Sequence, residues 1–317
     1  MNIAVIGVGG VGGYFGGKLT QILQTNPQVN IFFIARNQHL KEIQANGLLL
    51  DSDEGKIVCK PTKAIENISE LPQLDYCLIC VKGYDLENVL KQLKVKIGAS
   101  TVILPLLNGV DIYERVREVI KTGYLHPACV YVGTHIEKPG IVKQRGGACT
   151  IILGNDPEAK SENTTIIRIL DLAKIKYKWL SDPFGEIWSK FIFIGSFGLV
   201  TANFDKSIGE AIQSEKYFNY AIGIIKEIVT LAERKGIDLP STIVEDTISN
   251  ASKFPFETKT SFQRDFELKG KPDERDLFGG SIIRMGKELR IPTTITEEIY
   301  SSIMRQKPIA PPWGAPA

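Results

Sequence analysis

Asn2-Ile3-Ala4-Val5-Ile6-Gly7-Val8-Gly9-Gly10-Val11-Gly12 opens the chain with an apolar run of strand length that passes straight into the spacing GxGxxG. The spacing alone is common. Its setting, directly after a strand and directly before a helix-compatible segment, is that of a dinucleotide-binding turn. Gly7 would allow the tight turn, Gly9 would let the backbone approach a pyrophosphate, and Gly12 would let helix and strand pack closely. Val8, Gly10 and Val11 complete the turn, and the N-terminus of the next helix would face the anion. A glycine-rich turn that serves packing alone is the competing reading.

From this turn to Trp179 the sequence alternates short apolar runs with amphipathic stretches, the pattern of a parallel sheet with helical crossovers. Strands are predicted over 2–6, 29–35, 75–81, 101–105 and 129–136, with further runs at 141–144 and 150–153. Helices are predicted over 11–23, 38–46, 84–96, 112–121 and 161–173. Beyond Trp179 the β-like alternation disappears, and helices are predicted over 184–202, 214–235, 241–252, 272–289 and 296–304. Gly236 after Arg234-Lys235 is a helix stop. The fold class is thus read as α/β: a Rossmann-type doubly wound sheet followed by an all-helical C-terminal domain. Ser181-Asp182-Pro183 suits the boundary, because Pro favours a first helical turn. The 317 residues then divide into a cofactor domain at 1–181, a helical substrate and dimerisation domain at 182–306, and a proline-rich tail at 307–317.

The end of the second strand bears on which dinucleotide would be taken. An NAD site usually places Asp or Glu there for the ribose hydroxyls, whereas Arg suits the added phosphate of NADP. Here Ile31-Phe32-Phe33-Ile34-Ala35 ends in Arg36-Asn37-Gln38, without a carboxylate. A guanidinium can hold a phosphate through two hydrogen bonds, so NADP (NADPH) is the expected cofactor. Two further strand ends, Val81-Lys82-Gly83-Tyr84 and Leu107-Asn108-Gly109-Val110, are expected to face the same crevice. Lys82 could hold a substrate carboxylate or a cofactor oxygen, and Asn108 could position the nicotinamide or a carbonyl. A solvated Lys82 and a plain Asn-Gly turn are the open alternatives.

Composition narrows the partners. With 38 basic and 36 acidic residues the formal charge is +2, so no global electrostatic argument favours nucleic acid or an anionic membrane. The first strand starts without a basic leader, and the apolar stretch 191–202 is shorter than the ~20 residues that span a bilayer; a cytoplasmic protein with a small-molecule substrate is expected. Five cysteines in such a setting are read as reduced thiols. Cys77 and Cys80 form CxxC inside a predicted buried strand, and no second Cys or His pair follows, so no metal site is expected. The three histidines, His39, His126 and His135, are too scattered for a metal site or a triad. The helical second half offers surface for a homodimer.

The glycine turn, Arg36, the VKGYD and LLNGV segments and the helical second half together resemble the ketopantoate reductase family (2-dehydropantoate 2-reductase), over nearly the whole chain to about Met304. The most specific matches are Glu186-Ile187-Trp188-Ser189-Lys190, similar to E-x-W-x-K, and Gly270-Lys271-Pro272-Asp273-Glu274-Arg275-Asp276, similar to G-x-P-x-E-x-D. The resemblance implies NADPH-dependent reduction of 2-dehydropantoate to pantoate in pantothenate synthesis. It places the catalytic Lys at Lys190, the substrate-binding Glu at Glu274, and a weaker substrate-binding candidate at Ser261.

The chemistry can be read from the residues as well. Hydride delivery to a ketone carbon builds negative charge on oxygen, and a lysine can stabilise and then protonate that oxygen. Lys190 precedes an apolar run, where desolvation would lower its pKa. A Glu186–Lys190 surface pair at i,i+4 is the plain alternative, and Glu274 in a first helical turn could simply complement the dipole. Family members commonly carry Asn four and eight positions after the Lys; here Ile194 and Gly198 stand there, and neither can donate a hydrogen bond. This departure puts substrate identity in question more than reaction type. The alternatives are an NADP-dependent reductase of another 2-oxo or 3-hydroxy acid, and a dinucleotide-binding regulator without turnover.

Overall fold

The computed structural model describes residues 1–24, 26–159 and 161–308, so most of the predicted tail lies outside the described residues. The chain divides between Pro183 and Phe184 into two compact units.

The strands of the first unit are β1 (Asn2–Ile6), β2 (Asn30–Ile34), β3 (Leu48–Ser52), β4 (Gly55–Cys59), β5 (Lys63–Ile65), β6 (Leu74–Ile79) and β7 (Ile97–Pro105). They continue with β8 (Tyr124–Leu125), β9 (Ala128–Tyr131), β10 (Thr134–Lys138), β11 (Ile141–Gln144), β12 (Thr150–Gly154) and β13 (Lys176–Leu180). Its α-helices are α1 (Gly10–Leu19), α2 (Asn37–Asn46), α3 (Gly83–Leu93), α4 (Ile112–Val119) and α5 (Thr165–Leu172). One parallel sheet runs in the order β5-β2-β1-β6-β7-β8. Its central strand β1 buries Ile3, Ala4, Val5 and Ile6 completely, as a strand covered on both faces must.

Helix α1 is rich in glycine and intrinsically a poor helix, and packing explains why it forms. Its Gly16 lies against Val5 and Phe33 of the parallel sheet, while a Cβ on Gly13 would come within 2.5 Å of Val142 on β11. The helix is thus sandwiched between the parallel sheet and a second sheet, ordered β10-β11-β3-β4. A third sheet is ordered β13-β12-β9.

The predicted strand over 129–136 is two strands, β9 and β10, in different sheets. A Cβ on the intervening Gly133 would sit 2.4 Å from the Arg145 carbonyl oxygen, so the chain crosses where only glycine fits. The β-branched and aromatic residues on both sides of Gly133 suit a strand equally well, so local sequence does not show this change of partner. The hairpin β3–β4 was not predicted either, because β4 is largely exposed and lacks an apolar face to read.

The second unit holds α6 (Phe184–Phe204), α7 (Ile208–Gln213), α8 (Glu215–Arg234), α9 (Ile243–Ser252), α10 (Ser261–Glu267), α11 (Ser281–Leu289) and α12 (Thr294–Gln306). As predicted over 184–202, α6 runs through Gly195, Ser196 and Gly198 and is 21 residues long, with Ser196 Oγ donating to the Ile192 carbonyl at 2.6 Å. By length and composition α6 could cross a membrane, but 72% of its most apolar stretch is buried in the unit. It is the core helix, and α8 lies along it with Ala221, Ile224, Ile225, Ile228, Leu231 and Ala232 turned inward at helical spacing.

The helix predicted over 272–289 begins later. Residues 272–274 are irregular, a π-helical turn covers Asp276–Gly280, and α11 follows. The reason is local: the Asp273 carboxylate accepts from the Arg275 backbone N–H at 3.2 Å, a turn that competes with helix. Glu274 therefore precedes the helical turns and does not sit inside the first one.

Candidate active site

The register levels the carboxyl ends of four strands: Ile6 pairs with Ile34 and Ile79, and Ile79 pairs with Pro105. Gly7, Arg36, Lys82 and Asn108 each follow one of these strands and so lie along one edge of the sheet. Strand order reverses there, since β2 lies on one side of β1 and β6 on the other, and such switch points are where open α/β sheets bind ligands.

Gly7 has φ +92°, and the N–H groups of Gly7 and Val8 both reach the Ile34 carbonyl, at 3.1 and 3.0 Å. A Cβ on Gly12 would lie 2.1 Å from the Gly7 carbonyl oxygen, whereas a Cβ on Gly9 would meet nothing within 4 Å. The turn is packed on its inner side and open at Gly9. The hydrogen bond from Gly13 N–H to the Gly9 carbonyl, at 2.8 Å, leaves the N–H groups of Gly10, Val11 and Gly12 ahead of the intrahelical ladder.

Arg36 closes the edge on one side. Its Nη2 donates to Asp85 Oδ2 at 2.7 Å and its Nη1 to Oδ1 at 3.5 Å. The side chains are 52% and 27% exposed, and an ion pair so open to water is worth at most about 1 kcal/mol. It can therefore yield to a stronger ligand. Asp85 lies in the first turn of α3, so the pair joins the elements that flank β1. Sequence reading found no acid at the end of β2; the tertiary structure brings one from the VKGYD segment. Lys82 caps α3, and Asn108 precedes Gly109, whose φ is +115°; both side chains are half-buried.

In the second unit, Glu186 and Lys190 are one turn apart on α6 and half-buried. The Phe191 ring next to Lys190 stacks on Phe278 at 6.3 Å, and Phe278 stacks on Phe262 at 5.0 Å. Phe278 is one turn past Glu274, whose carbonyl accepts its N–H at 3.1 Å. These rings pack α6, the π-helical segment after Glu274 and α10 against one another. Glu274 is only 5% exposed. On either side of it Asp273 and Arg275 pair through bonds of 2.7 and 2.6 Å, and Lys307 adds a contact of 3.1 Å to Asp273. Burial alone would push the Asp273 carboxyl up; the bonds from Arg275 and Lys307 outweigh it and hold the group below the usual range. Neither neighbour of Glu274 was singled out from sequence, although both stand in the quoted motif.

Ser261 is exposed at the start of α10. That helix start docks on α6 through Thr260 Oγ1 and Thr201 Oγ1, 2.9 Å apart, three turns or roughly 16 Å along α6 from Lys190. Gly198 is buried, and a Cβ there would make ordinary contact with Phe262 and Phe278 at 3.6 and 3.9 Å, so the position is bordered by apolar side chains. Among the described residues no group of His, Cys, Asp or Glu side chains could hold a metal ion. Cys77 and Cys80 are free thiols whose pKa values burial raises.

An open parallel sheet with a glycine turn at its switch point is the architecture of a dinucleotide-binding fold. Residues 3–158 match the family described as ketopantoate reductase PanE/ApbA, and residues 184–307 match the C-terminal part of the same family. The chain belongs to the ketopantoate reductase family. It is 26% identical to an uncharacterized oxidoreductase, YkpB, of Bacillus subtilis (strain 168), over 96% of this chain and 98% of the relative. It is also 26% identical to a 2-dehydropantoate 2-reductase of Mesorhizobium japonicum, over 96% and 97%. A crystal structure of a PanE/ApbA family ketopantoate reductase from Ralstonia eutropha JMP134 shares the fold, with TM-score 0.85, 24% identity and coverage of 96% and 98%.

Proposed function

We propose that this protein is an NADPH-dependent 2-oxoacid reductase that converts 2-dehydropantoate to pantoate. The observation that carries the proposal is the aromatic cluster that joins the helix bearing Lys190 to the segment bearing the buried Glu274. The cofactor edge has the features such a ligand needs: open space at Gly9, helix-start N–H groups at Gly10, Val11 and Gly12, and a guanidinium at Arg36 for the 2′-phosphate. Lys82 and Asn108 would contact cofactor or substrate oxygens from the neighbouring strand ends.

Bound NADPH supplies the hydride. Lys190 Nζ donates a hydrogen bond to the 2-oxo oxygen, stabilises the charge that builds there, and delivers the proton. Glu274 accepts a hydrogen bond from the substrate hydroxyl; Ser261, exposed at the start of α10, is the weaker candidate for a further contact. The test is NADPH oxidation with 2-dehydropantoate beside a panel of branched and aromatic 2-oxoacids, with the product identified by mass spectrometry. If none of them is reduced, the enzymatic reading fails in favour of a nucleotide-binding regulator.

A second reading, a 2-oxoacid with a larger apolar side chain, is favoured by the α6 face beyond Lys190. Ile194 and the ring-covered Gly198 offer that face no hydrogen-bond donor, and an apolar side chain needs none. Higher kcat/KM for such an acid than for 2-dehydropantoate would select it.

A further inference from the structure

We infer that Asp85 sets the balance between NADPH and NADH, so that the site accepts both cofactors. The inference rests on reading the sheet edge as a dinucleotide site. Two helix starts present opposite charges to each other there. Arg36 is held at the entry of α2, with its carbonyl accepting the Leu40 N–H at 3.2 Å, and Asp85 is held in the first turn of α3, with its N–H on the Lys82 carbonyl at 2.9 Å. Their side chains meet at 2.7 Å.

An adenosine ribose at this edge meets a cation and an anion together. A 2′-phosphate is attracted by Arg36 and repelled by Asp85, and it must draw the guanidinium away from its carboxylate. A 2′-hydroxyl instead donates to Asp85, which supplies from α3 the acid that NAD sites usually carry at the end of the second strand. Arg36 alone would make a selective NADPH site. The pair lowers NADPH affinity, raises NADH affinity and narrows the gap between them.

The test is fluorescence titration of the full-length protein with NADPH and with NADH, for the natural protein, Asp85→Asn and Arg36→Ala. The natural protein should bind both with dissociation constants within about tenfold of each other. Asp85→Asn should tighten NADPH, weaken NADH and shift their ratio by about tenfold or more; Arg36→Ala should lose NADPH and retain NADH. If Asp85→Asn fails to fold by circular dichroism, Asp85→Ser, which keeps a polar residue in the helical first turn, is read instead with the same expectation. A ratio unchanged within about twofold, with both cofactors still bound, overturns the role of Asp85 while leaving the dinucleotide site standing. So does a natural protein that excludes NADH. Failure of both cofactors to bind the natural protein overturns the site itself and the role of Asp85 with it.

Discussion

Asp273 and Arg275 reach across the residue between them: Arg275 Nε and Nη2 donate to the two carboxylate oxygens of Asp273 at 2.7 and 2.6 Å, with side chains 1% and 5% exposed. The pair turns the chain into the π-helical segment and holds Glu274 buried at its entry. Arg275 also reaches the Lys307 carbonyl at 2.5 Å, which fastens the end of α12 to the same place.

Breaking this pair from one side leaves a buried charge undercompensated, Asp273 keeping only Lys307 at 3.1 Å, and costs up to about 3–5 kcal/mol. Arg275→Ala should lower the stability of the protein by that order in urea unfolding. Asp273→Asn should act at the acid end as well. Because the Asp273 pKa is depressed in the folded protein, its contribution is present above the unfolded value of about 3.9 and fades as pH falls below it. The Asn variant should therefore show a shallower loss of stability on acidification; an unaltered acid limb would argue against the pair as its source.

Two glycines in the first turn of sequence should part company. Gly13→Ala places a methyl within 2.5 Å of Val142 and should cost about 1–3 kcal/mol of stability through overpacking. Gly9→Ala projects into open space and should change stability by less than about 0.5 kcal/mol while weakening NADPH binding about tenfold or more. Thermal unfolding and cofactor titration on both variants measure the contrast.

Lys190→Ala should reduce kcat/KM by about 10²–10⁴-fold, the range lost with a general acid, and leave NADPH affinity unaltered. Single-turnover NADPH oxidation reads the chemical step directly. Turnover equal to that of the natural protein would remove Lys190 from the mechanism and return it to an i,i+4 pairing on α6.

Burial lowers the pKa values of His39 and His126. His126 Nδ1 lies 2.8 Å from the Gly154 carbonyl, and His39 Nδ1 accepts from the Gly140 N–H at 3.0 Å. The unfolded chain, with imidazoles near pKa about 6.5, takes up protons first, so stability should fall as pH drops through that value. The urea midpoint at about pH 5.5 should lie below that at about pH 7.5, and His126→Gln should reduce the difference. An equal difference in the variant would exclude His126 as a contributor.

Much of the parallel sheet was legible because its strands are short, apolar and bounded by glycine or proline, and because the glycine turn names its own context. Less legible were elements whose signal is split. Gly133 separates β9 from β10 inside a single strand-like run over 129–136. Ser207-Ile208-Gly209-Glu210 spells a capping box, with Glu210 N–H on Ser207 Oγ at 3.1 Å and Ser207 N–H on Glu210 Oε2 at 2.8 Å, yet α7 is only six residues long and has too few turns for a periodicity to show. The π-helical turn depends on a carboxylate that binds its own neighbouring backbone, and helix propensity does not register that.

By itself the sequence determined the alternation of strands and helices that marks the first unit, the glycine turn and the Arg36 that follows β2, because these depend on spacing within a few residues. Only the tertiary structure decided what Arg36 faces. The end of β2 carries no acid in the chain, but sheet order places α3 across β1 from it and sets Asp85 against the guanidinium. The physical reason is that charges interact through distance in space, and the 49 positions that separate this pair in sequence carry no sign that they meet.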